Sequence, residues 1–247
     1  MTDIRNLKVK ISYRGTAYHG FQRQENAVSV QNILEDRLSR LTEGCVKING
    51  CSRTDTGVHA NEYFFSFRTE SRIGCENIVR GMNSLLPADI AVIECCEAED
   101  DFHARYSCIG KEYIYKILNR KVRDPFMDDL AFHYPYELDI NKMNKAAEHI
   151  IGTHDFLCFC GSLGIKENSV RTVYECKVTR EGDIAVITVS GDGFLYNMVR
   201  IITGTLLYVS EGKISPDDIP MIIESRDRGK AGITAKSCGL YLNRVFY

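Results

Sequence analysis

The chain has 247 residues, of which 44% are apolar, enough for one large domain or two small ones with real hydrophobic cores. Its 31 Lys and Arg residues are balanced by 33 Asp and Glu residues, which gives a net charge of −2. A protein that coats nucleic acid through bulk charge would be far more basic. Any RNA or DNA site must therefore be a local basic cleft.

The N-terminal residues lack the apolar core of a secretory signal, and no apolar stretch approaches the roughly 20 residues needed to span a bilayer. The ten cysteines are therefore expected to be reduced thiols in a cytoplasmic chain. Cys95-Cys96 and Cys158-Phe159-Cys160 lack the C-x-x-C spacing of zinc sites, so we expect core packing and no metal.

In the first half, alternating and helical apolar patterns predict strands and helices in turn. They predict a strand at 8–13, a helix from Ser29 to about Gly44, and a strand at 61–68. A helix over 76–86 is then expected to stop before Pro87, followed by a buried strand over 90–95.

The second half has a similar order. The patterns predict a strand at 111–118 and a helix capped by Asp139 and closed by Gly152. A hairpin follows, with strands at 170–178 and 184–190 and a turn at 181–183. Next come a long apolar helix over 194–209, a short helix after Pro216 and a last strand at 240–245.

This order predicts an α+β fold of two similar halves, residues 1–105 and 106–247. We expect the halves to share one mainly antiparallel sheet with helices on one face.

Residues 52–60 contain an acid in a tight turn, at Asp55. Small neighbours and Gly57 let the backbone bend, and Arg53 can hold the carboxylate ionised by lowering its pKa. Such an Asp is a candidate nucleophile. Local sequence alone favours a simpler interpretation, in which Asp55 only stabilises the turn.

Six segments together resemble the tRNA pseudouridine synthase A (TruA) family, in the family's order along nearly the whole chain. They are residues 13–24 (YRGTAYHGFQRQ), 52–60 (SRTDTGVHA), 83–87 (NSLLP), 102–107 (FHARYS), 193–200 (GFLYNMVR) and 239–242 (GLYL).

The resemblance implies a pseudouridine synthase fold with an active-site cleft between the halves, and a role for particular residues. Asp55 matches the catalytic nucleophile, Arg200 the arginine that pairs with it, and Tyr113 the tyrosine that stacks on the uracil and could accept its C5 proton. Arg53 matches an arginine that contacts tRNA and helps evert the target nucleotide. Further RNA contacts are implied for Phe102, His103, Ala104, Arg105, Tyr106, Ser169, Arg171 and Thr172.

The family works as homodimers without metal or organic cofactor and isomerises uridines in the tRNA anticodon stem-loop. Three departures bear on which uridines are chosen: Phe21 replaces a tryptophan, Lys111-Glu112 a more arginine-rich pair, and residues 235–237 an Ala-Pro-Ala-like approach to the tail. None touches the acid.

Two other functions fit parts of the sequence. Asp55-Thr56-Gly57 spells the aspartic protease tripeptide, but it occurs once, and the adjacent Arg53 would spoil the proton sharing that two such carboxylates need. We therefore reject a protease. A non-catalytic tRNA-binding module that kept the fold is the remaining alternative, and near-neutral charge fits its weak binding.

Overall fold

The computed structural model describes residues 4–161 and 168–247. Two compact units are present: Met1–Ile109 together with Tyr241–Tyr247, and Gly110–Leu240. The strands are β1 (Arg5–Tyr13), β2 (Ile48–Gly50), β3 (His59–Thr69), β4 (Ile90–Glu97), β5 (Gly110–Leu118), β6 (Phe132–His133), β7 (Gly152–Asp155), β8 (Val170–Glu181), β9 (Ile184–Gly191) and β10 (Leu240–Phe246). The helices are α1 (Val30–Thr42), α2 (Cys75–Leu85), α3 (Ile140–Glu148), α4 (Met198–Ser210) and α5 (Ile219–Ser225).

In the first unit, β1 lies between β4 and β3 and is antiparallel to both. Strand β2 pairs antiparallel with β3, and β10 joins β3 in parallel with Tyr241 opposite His59. Alternate residues of β1 are buried because successive side chains point to opposite faces of the sheet, and Val9 and Ile11 are among them. Helices α1 and α2 bury Leu34, Leu38, Ile78 and Met82 completely.

In the second unit, the strand order is β5-β9-β8-β7 with antiparallel neighbours, and β6 pairs in parallel with β5. Helix α3 is attached to β8 by Asn144, whose side chain bonds both the N–H and the C=O of Val178 at 2.8 and 2.9 Å. Helix α4 is apolar and mostly buried. The predicted α+β class with mainly antiparallel strand pairing is confirmed.

Local capping signals in the sequence predicted the starts of two helices correctly. Ser29 accepts a hydrogen bond from the N–H of Asn32 at 3.3 Å, and Asp139 accepts one from Lys142 at 3.0 Å. Both bonds satisfy backbone donors that have no partner inside their helices. The hairpin of β8 and β9 is also confirmed, with Gly182 at φ +55° in the turn.

Two predicted boundaries were wrong. The helix expected over 194–209 begins at Met198, because Asn197 adopts a left-handed backbone with φ +61° that cannot continue a helix. Helix α3 ends at Glu148, and Gly152 instead begins β7. The short strands β2, β6 and β7 were not predicted.

The two units differ from the sequence-based halves, 1–105 and 106–247, in two respects: the division falls after Ile109, and the C-terminal strand belongs to the first unit. Strand β10 pairs with β3 through Tyr241 opposite His59 and Leu242 opposite Ala60, so residues 241–247 belong with the first unit. Strand pairing joins residues that are distant in sequence, and no local pattern reports it.

The cysteines lie in different environments. Cys51, Cys158, Cys160 and Cys176 are buried, whereas Cys45 and Cys96 are exposed. Burial raises the pKa of the Cys158 and Cys176 thiols to about 12, so both are protonated at neutral pH. Throughout 4–161 and 168–247, the structure contains no cluster of three His, Cys, Asp or Glu residues suited to a metal ion. Nor does any helix in those ranges have the length and apolarity to cross a membrane.

Gly204 in α4 allows the backbone at Ile233 to lie close to the helix. A Cβ at position 204 would lie 1.8 Å from the backbone oxygen of Ile233, which cannot move aside as a flexible side chain could. We predict that Gly204→Ala lowers the free energy of unfolding by about 1–3 kcal/mol, in spite of the better helix propensity of alanine. Urea denaturation measures the effect.

Gly81→Ala in α2 is the matched control. It gains the same propensity, and the nearest atom to its Cβ is Cδ1 of Leu41, the end of a flexible side chain, at 2.7 Å. A loss of stability as large at position 81 as at position 204 would contradict the backbone-contact explanation.

Candidate active site

Asp55 lies in the loop that leads from β2 into β3, as the sequence predicted. The loop turns tightly: the N–H of Val58 donates to the Asp55 C=O at 3.1 Å, and Gly57 has φ +76°. Asp55 is half-buried, while Thr54 before it is only 8% exposed. The turn thus holds the acid at the edge of the fold, with a buried residue beside it.

Two hydrogen bonds to Thr54 hold this loop to the last residue of β1 and to the segment that follows that strand. The hydroxyl groups of Tyr13 and Thr54 are 2.9 Å apart in a buried contact. The N–H of Phe21 donates to the Thr54 C=O at 3.3 Å. Side chain and backbone of the residue before Asp55 are therefore both fixed.

Two further hydrogen bonds join the same segments on the other side of Asp55. The N–H of Gly57 donates to Tyr18 C=O at 3.2 Å, and the N–H of Gly15 donates to Nδ1 of His59 at 3.0 Å. Because Nδ1 accepts, the neutral His59 ring carries its proton on Nε2. His59 is buried and stacks on Tyr241 with ring centroids 4.6 Å apart. We call these four hydrogen bonds the loop clasp.

Gly20, which lies in the segment that the loop clasp holds, must be a glycine for two reasons. Gly20 has φ +81°, which favours glycine, and a Cβ there would lie 2.3 Å from the Thr54 carbonyl oxygen. The pattern of residues 13–24 thus has a structural explanation: it builds the support of the Asp55 loop.

Aromatic side chains support the start of the loop. The Tyr63 hydroxyl donates to the Ser52 C=O at 2.5 Å, and Phe21 stacks on the Tyr63 ring at 4.1 Å between centroids. Phe21 is 2% exposed, so its position as an aromatic residue is explained by packing.

Arg53 and three of the other predicted RNA-contacting residues line one cavity of about 200 Å³. These three are His103, Arg105 and Tyr106; Phe102 and Ala104 are not among the lining residues, and neither is Asp55. Within the described ranges, neither Arg53 nor Arg105 is paired with a carboxylate. Two arginines that have no carboxylate partner among the described residues thus line one cavity, as expected for the local basic cleft that the sequence predicts.

The backbone of the 102–106 segment is fixed by three hydrogen bonds. Asn6 donates to Phe102 C=O at 2.9 Å, the N–H of Ala104 donates to the Ser66 hydroxyl at 3.2 Å, and the Tyr247 hydroxyl donates to Ala104 C=O at 2.8 Å. Phe102 and buried Ala104 thus anchor the segment, while the residues between and after them face the cavity.

In the second unit, Tyr113 lies on β5 opposite Val189 and is 7% exposed. Its ring contacts the edge of Phe194 at 5.1 Å with an interplanar angle of 82°. Phe194, expected to begin a helix, instead lies in the loop before α4.

Arg200 lies in the first turn of α4. Its Nε donates to Ala235 C=O at 2.7 Å, and a terminal nitrogen donates to the Asn197 side chain at 2.9 Å. The N–H of Ala235 donates back to the Arg200 C=O at 3.1 Å. These contacts hold the guanidinium in one orientation, because Arg presents its donors in a planar fork.

The predicted contacts Ser169, Arg171 and Thr172 lie at the start of β8 and just before it. Ser169 donates to Asp155 at 2.5 Å, and the Thr172 N–H donates to Asp192 at 2.9 Å. The Arg171 guanidinium bonds Asn168 and Val170 carbonyls, at 3.3 and 2.6 Å, on the exposed side of the strand. The neighbouring residues 162–167 lie outside the described part of the chain.

Gly20→Ala tests the loop clasp. We predict a loss of about 1–3 kcal/mol in unfolding free energy and faster amide hydrogen exchange at residues 54–58, because the new Cβ pushes on the Thr54 carbonyl. Gly212→Ala is the matched control, since Gly212 has a similar φ of +73° but open space around its Cβ. Equal losses in the two variants would show that backbone strain alone, and not contact with the loop, requires glycine.

Comparisons with known proteins agree with the resemblance seen in the sequence. A family model described as tRNA pseudouridine synthase matches residues 10–107 and 146–247. Among curated relatives, "tRNA pseudouridine synthase A" of Thermoanaerobacter sp. (strain X514) is 47% identical over 244 residues, covering 99% of this chain and 100% of the relative. The protein of the same name in Acetivibrio thermocellus is 45% identical with the same coverage.

A third relative, "tRNA pseudouridine synthase A 2" of Clostridium tetani, is 45% identical over 245 residues, with 98% of this chain and 99% of the relative covered. Each match spans the loop clasp and the Asp55 turn. The chain belongs to the tRNA pseudouridine synthase family, and it is an enzyme of the isomerase class.

Proposed function

We propose that this enzyme converts uridine to pseudouridine in the tRNA anticodon stem-loop, with Asp55 as the nucleophile. The observation that carries the proposal is the Asp55 turn: a half-buried carboxylate held by the loop clasp on both sides. A fixed acid of this kind is suited to covalent catalysis, which divides a difficult step into easier ones.

The reaction requires no net change in atoms or electrons. The bond between ribose C1′ and N1 of uracil breaks, the base rotates, and C1′ bonds to C5. C5 releases its hydrogen as a proton, and N1 takes up one proton in its place. A carboxylate can carry the intermediate by attack either at C6 of the ring or at C1′. Both routes need an ionised acid, and Arg200 is proposed to keep Asp55 in that form.

The target base must leave its stack before it can react. Eversion costs a few kcal/mol, and stacking of the base on the Tyr113 ring would return about 1–3 kcal/mol. Arg53, which is exposed, is proposed to fill the vacated space and to bind phosphate through its planar fork. The Tyr113 hydroxyl is proposed to accept the C5 proton in the last step.

The proposal also covers the oligomeric state of the protein and its location in the cell. A homodimer is expected from the family, and sedimentation equilibrium of the purified protein measures it. A cytoplasmic location remains a prediction from the cysteine content.

Asp55→Asn should abolish isomerisation, because an amide is a far weaker nucleophile than a carboxylate. The measurement is release of tritium from tRNA labelled at C5 of uridine, together with tRNA binding by filter retention. The wild type should release tritium, whereas Asp55→Asn should bind tRNA almost as well and release none. Asp101→Asn, at an exposed acid outside the Asp55 loop, is the control and should keep full activity.

Tritium release by Asp55→Asn at the rate of the control would exclude Asp55 as the nucleophile. Binding without release by the wild type would instead favour the non-catalytic binding module. These two failures are separate, since the first concerns one residue and the second the reaction itself.

Salt should weaken tRNA binding steeply despite the net charge of −2. Each phosphate neutralised contributes a slope of about −0.9 in a plot of log affinity against log salt concentration. We predict that Arg53→Ala/Arg105→Ala reduces the magnitude of the slope by about two. Arg40→Ala, at an exposed arginine of α1 already paired with Asp36, should leave it unchanged. A shallow slope in the wild type would contradict the local basic site.

A further inference from the structure

The cavity beside the Asp55 loop contains polar side chains, those of Gln22 and Asn49, to which the proposed function gives no role. It is formed by Phe21, Gln22 and Gln31, by residues 48–50, 52 and 53, and by His103, Arg105 and Tyr106. Asp55 does not line it, so the cavity is distinct from the place where a uracil would meet the nucleophile. We refer to it as the side pocket.

Its size suits a single ring. Pockets for drug-sized ligands measure about 300–1,000 Å³, whereas the side pocket encloses about 200 Å³ and opens to solvent. A nucleobase fits this description better than a whole nucleotide, whose ribose and phosphate would lie at the mouth.

Its side chains match the face of a base, the edge of a base and the adjoining phosphates. Tyr106 is 78% exposed and lies against His103 with ring centroids 4.4 Å apart, so the pair offers a face for stacking. Arg53 and Arg105 supply guanidinium groups for phosphate. Asn49 and Gln22 supply exposed amides that can donate to and accept from a base edge.

The amides are available for a ligand. In the part of the chain that the structure describes, neither the Asn49 nor the Gln22 side chain makes a hydrogen bond within the protein. By contrast, the Gln31 amide accepts from the Arg23 N–H at 3.0 Å and donates to Glu35 at 3.0 Å. Gln31 is therefore part of the wall, and Asn49 and Gln22 are the groups that can recognise a base.

A buried carboxylate holds the wall in place. Glu35 is 4% exposed, pairs with Arg23 at 2.9 Å and accepts from the Ile48 N–H at 3.2 Å. One acid thus ties α1, the segment after Phe21 and strand β2 together, which preorganises the pocket at Asn49. Preorganisation reduces the entropy that a ligand loses on binding.

We infer that the side pocket is a second nucleotide subsite, which takes one unstacked base of the RNA near the isomerised uridine. Tyr106 and His103 stack on the base, Asn49 and Gln22 bond its edge, and Arg53 and Arg105 bind the adjoining phosphates. Because the ligand is RNA, the inference rests on the proposed function. Selection among neighbouring uridines then depends on a base that is not itself modified.

The test uses Asp55→Asn protein, so that binding is measured without reaction. Anticodon stem-loop RNAs are prepared intact and as a series with one abasic ribose at successive positions. Dissociation constants are compared for three proteins: Asp55→Asn alone, Asp55→Asn with Asn49→Ala/Tyr106→Ala, and Asp55→Asn with Asn26→Ala/Tyr136→Ala. The last is the matched control, an exposed asparagine and an exposed tyrosine outside the pocket.

Removal of the pocket side chains should weaken binding of intact RNA about tenfold, as expected for loss of one stacked base. One abasic position should weaken binding to Asp55→Asn by a similar factor, yet change binding to the pocket variant little, since that base no longer has a site. The control variant should behave as Asp55→Asn.

The inference is overturned if the pocket variant binds intact RNA as tightly as the control. It is overturned equally if every abasic RNA loses the same factor with all three proteins. Tritium release by the wild type is measured in parallel, so that loss of the subsite and loss of the proposed function are distinguishable.

Discussion

The position of the Asp55 carboxylate depends on the loop clasp. Four hydrogen bonds join the end of β1 and the segment after it to the Asp55 turn and the start of β3, and two of them converge on Thr54, directly before the acid. Gly20 permits the approach, because any side chain there would meet the Thr54 carbonyl. In the role proposed for Asp55, a nucleophile must be held within a fraction of an ångström of its target, and backbone hydrogen bonds hold it more firmly than a flexible side chain could.

In this protein the positions of the charged side chains matter more for phosphate binding than the net charge does. Arg53 and Arg105 both line the side pocket and have no carboxylate partner among the described residues, while Arg23 close by is neutralised by buried Glu35. The structure thus separates cations that hold the wall from cations that can bind phosphate. The net charge of −2 limits unspecific binding to other nucleic acids, which bulk positive charge would promote.

Features set by neighbours in sequence were predictable, whereas features set by distant contacts were not. The caps at Ser29 and Asp139 and the turn at Gly182 follow from local hydrogen bonding and backbone freedom, and the sequence predicted all three. The predicted start of α4 was wrong because the apolar pattern over 194–209 continues across Asn197 and does not indicate its left-handed backbone. Nothing near Asn49 or Glu35 in sequence marks the side pocket, since its walls meet only in the folded chain. The Asp55 loop was placed correctly, but its role came from family resemblance and remains a proposal.

The first unit can be completed only after strand β10, which lies far along the chain from its other strands, has been synthesised. Residues 4–109 leave the ribosome early, yet the edge of β3 at His59 and Ala60 receives its parallel partner only when residues 241 and 242 emerge, more than a hundred residues later. At about 5–20 residues per second, the delay is on the order of ten seconds. During that interval an unpaired strand edge is exposed beside the Asp55 turn, a template for wrong pairing.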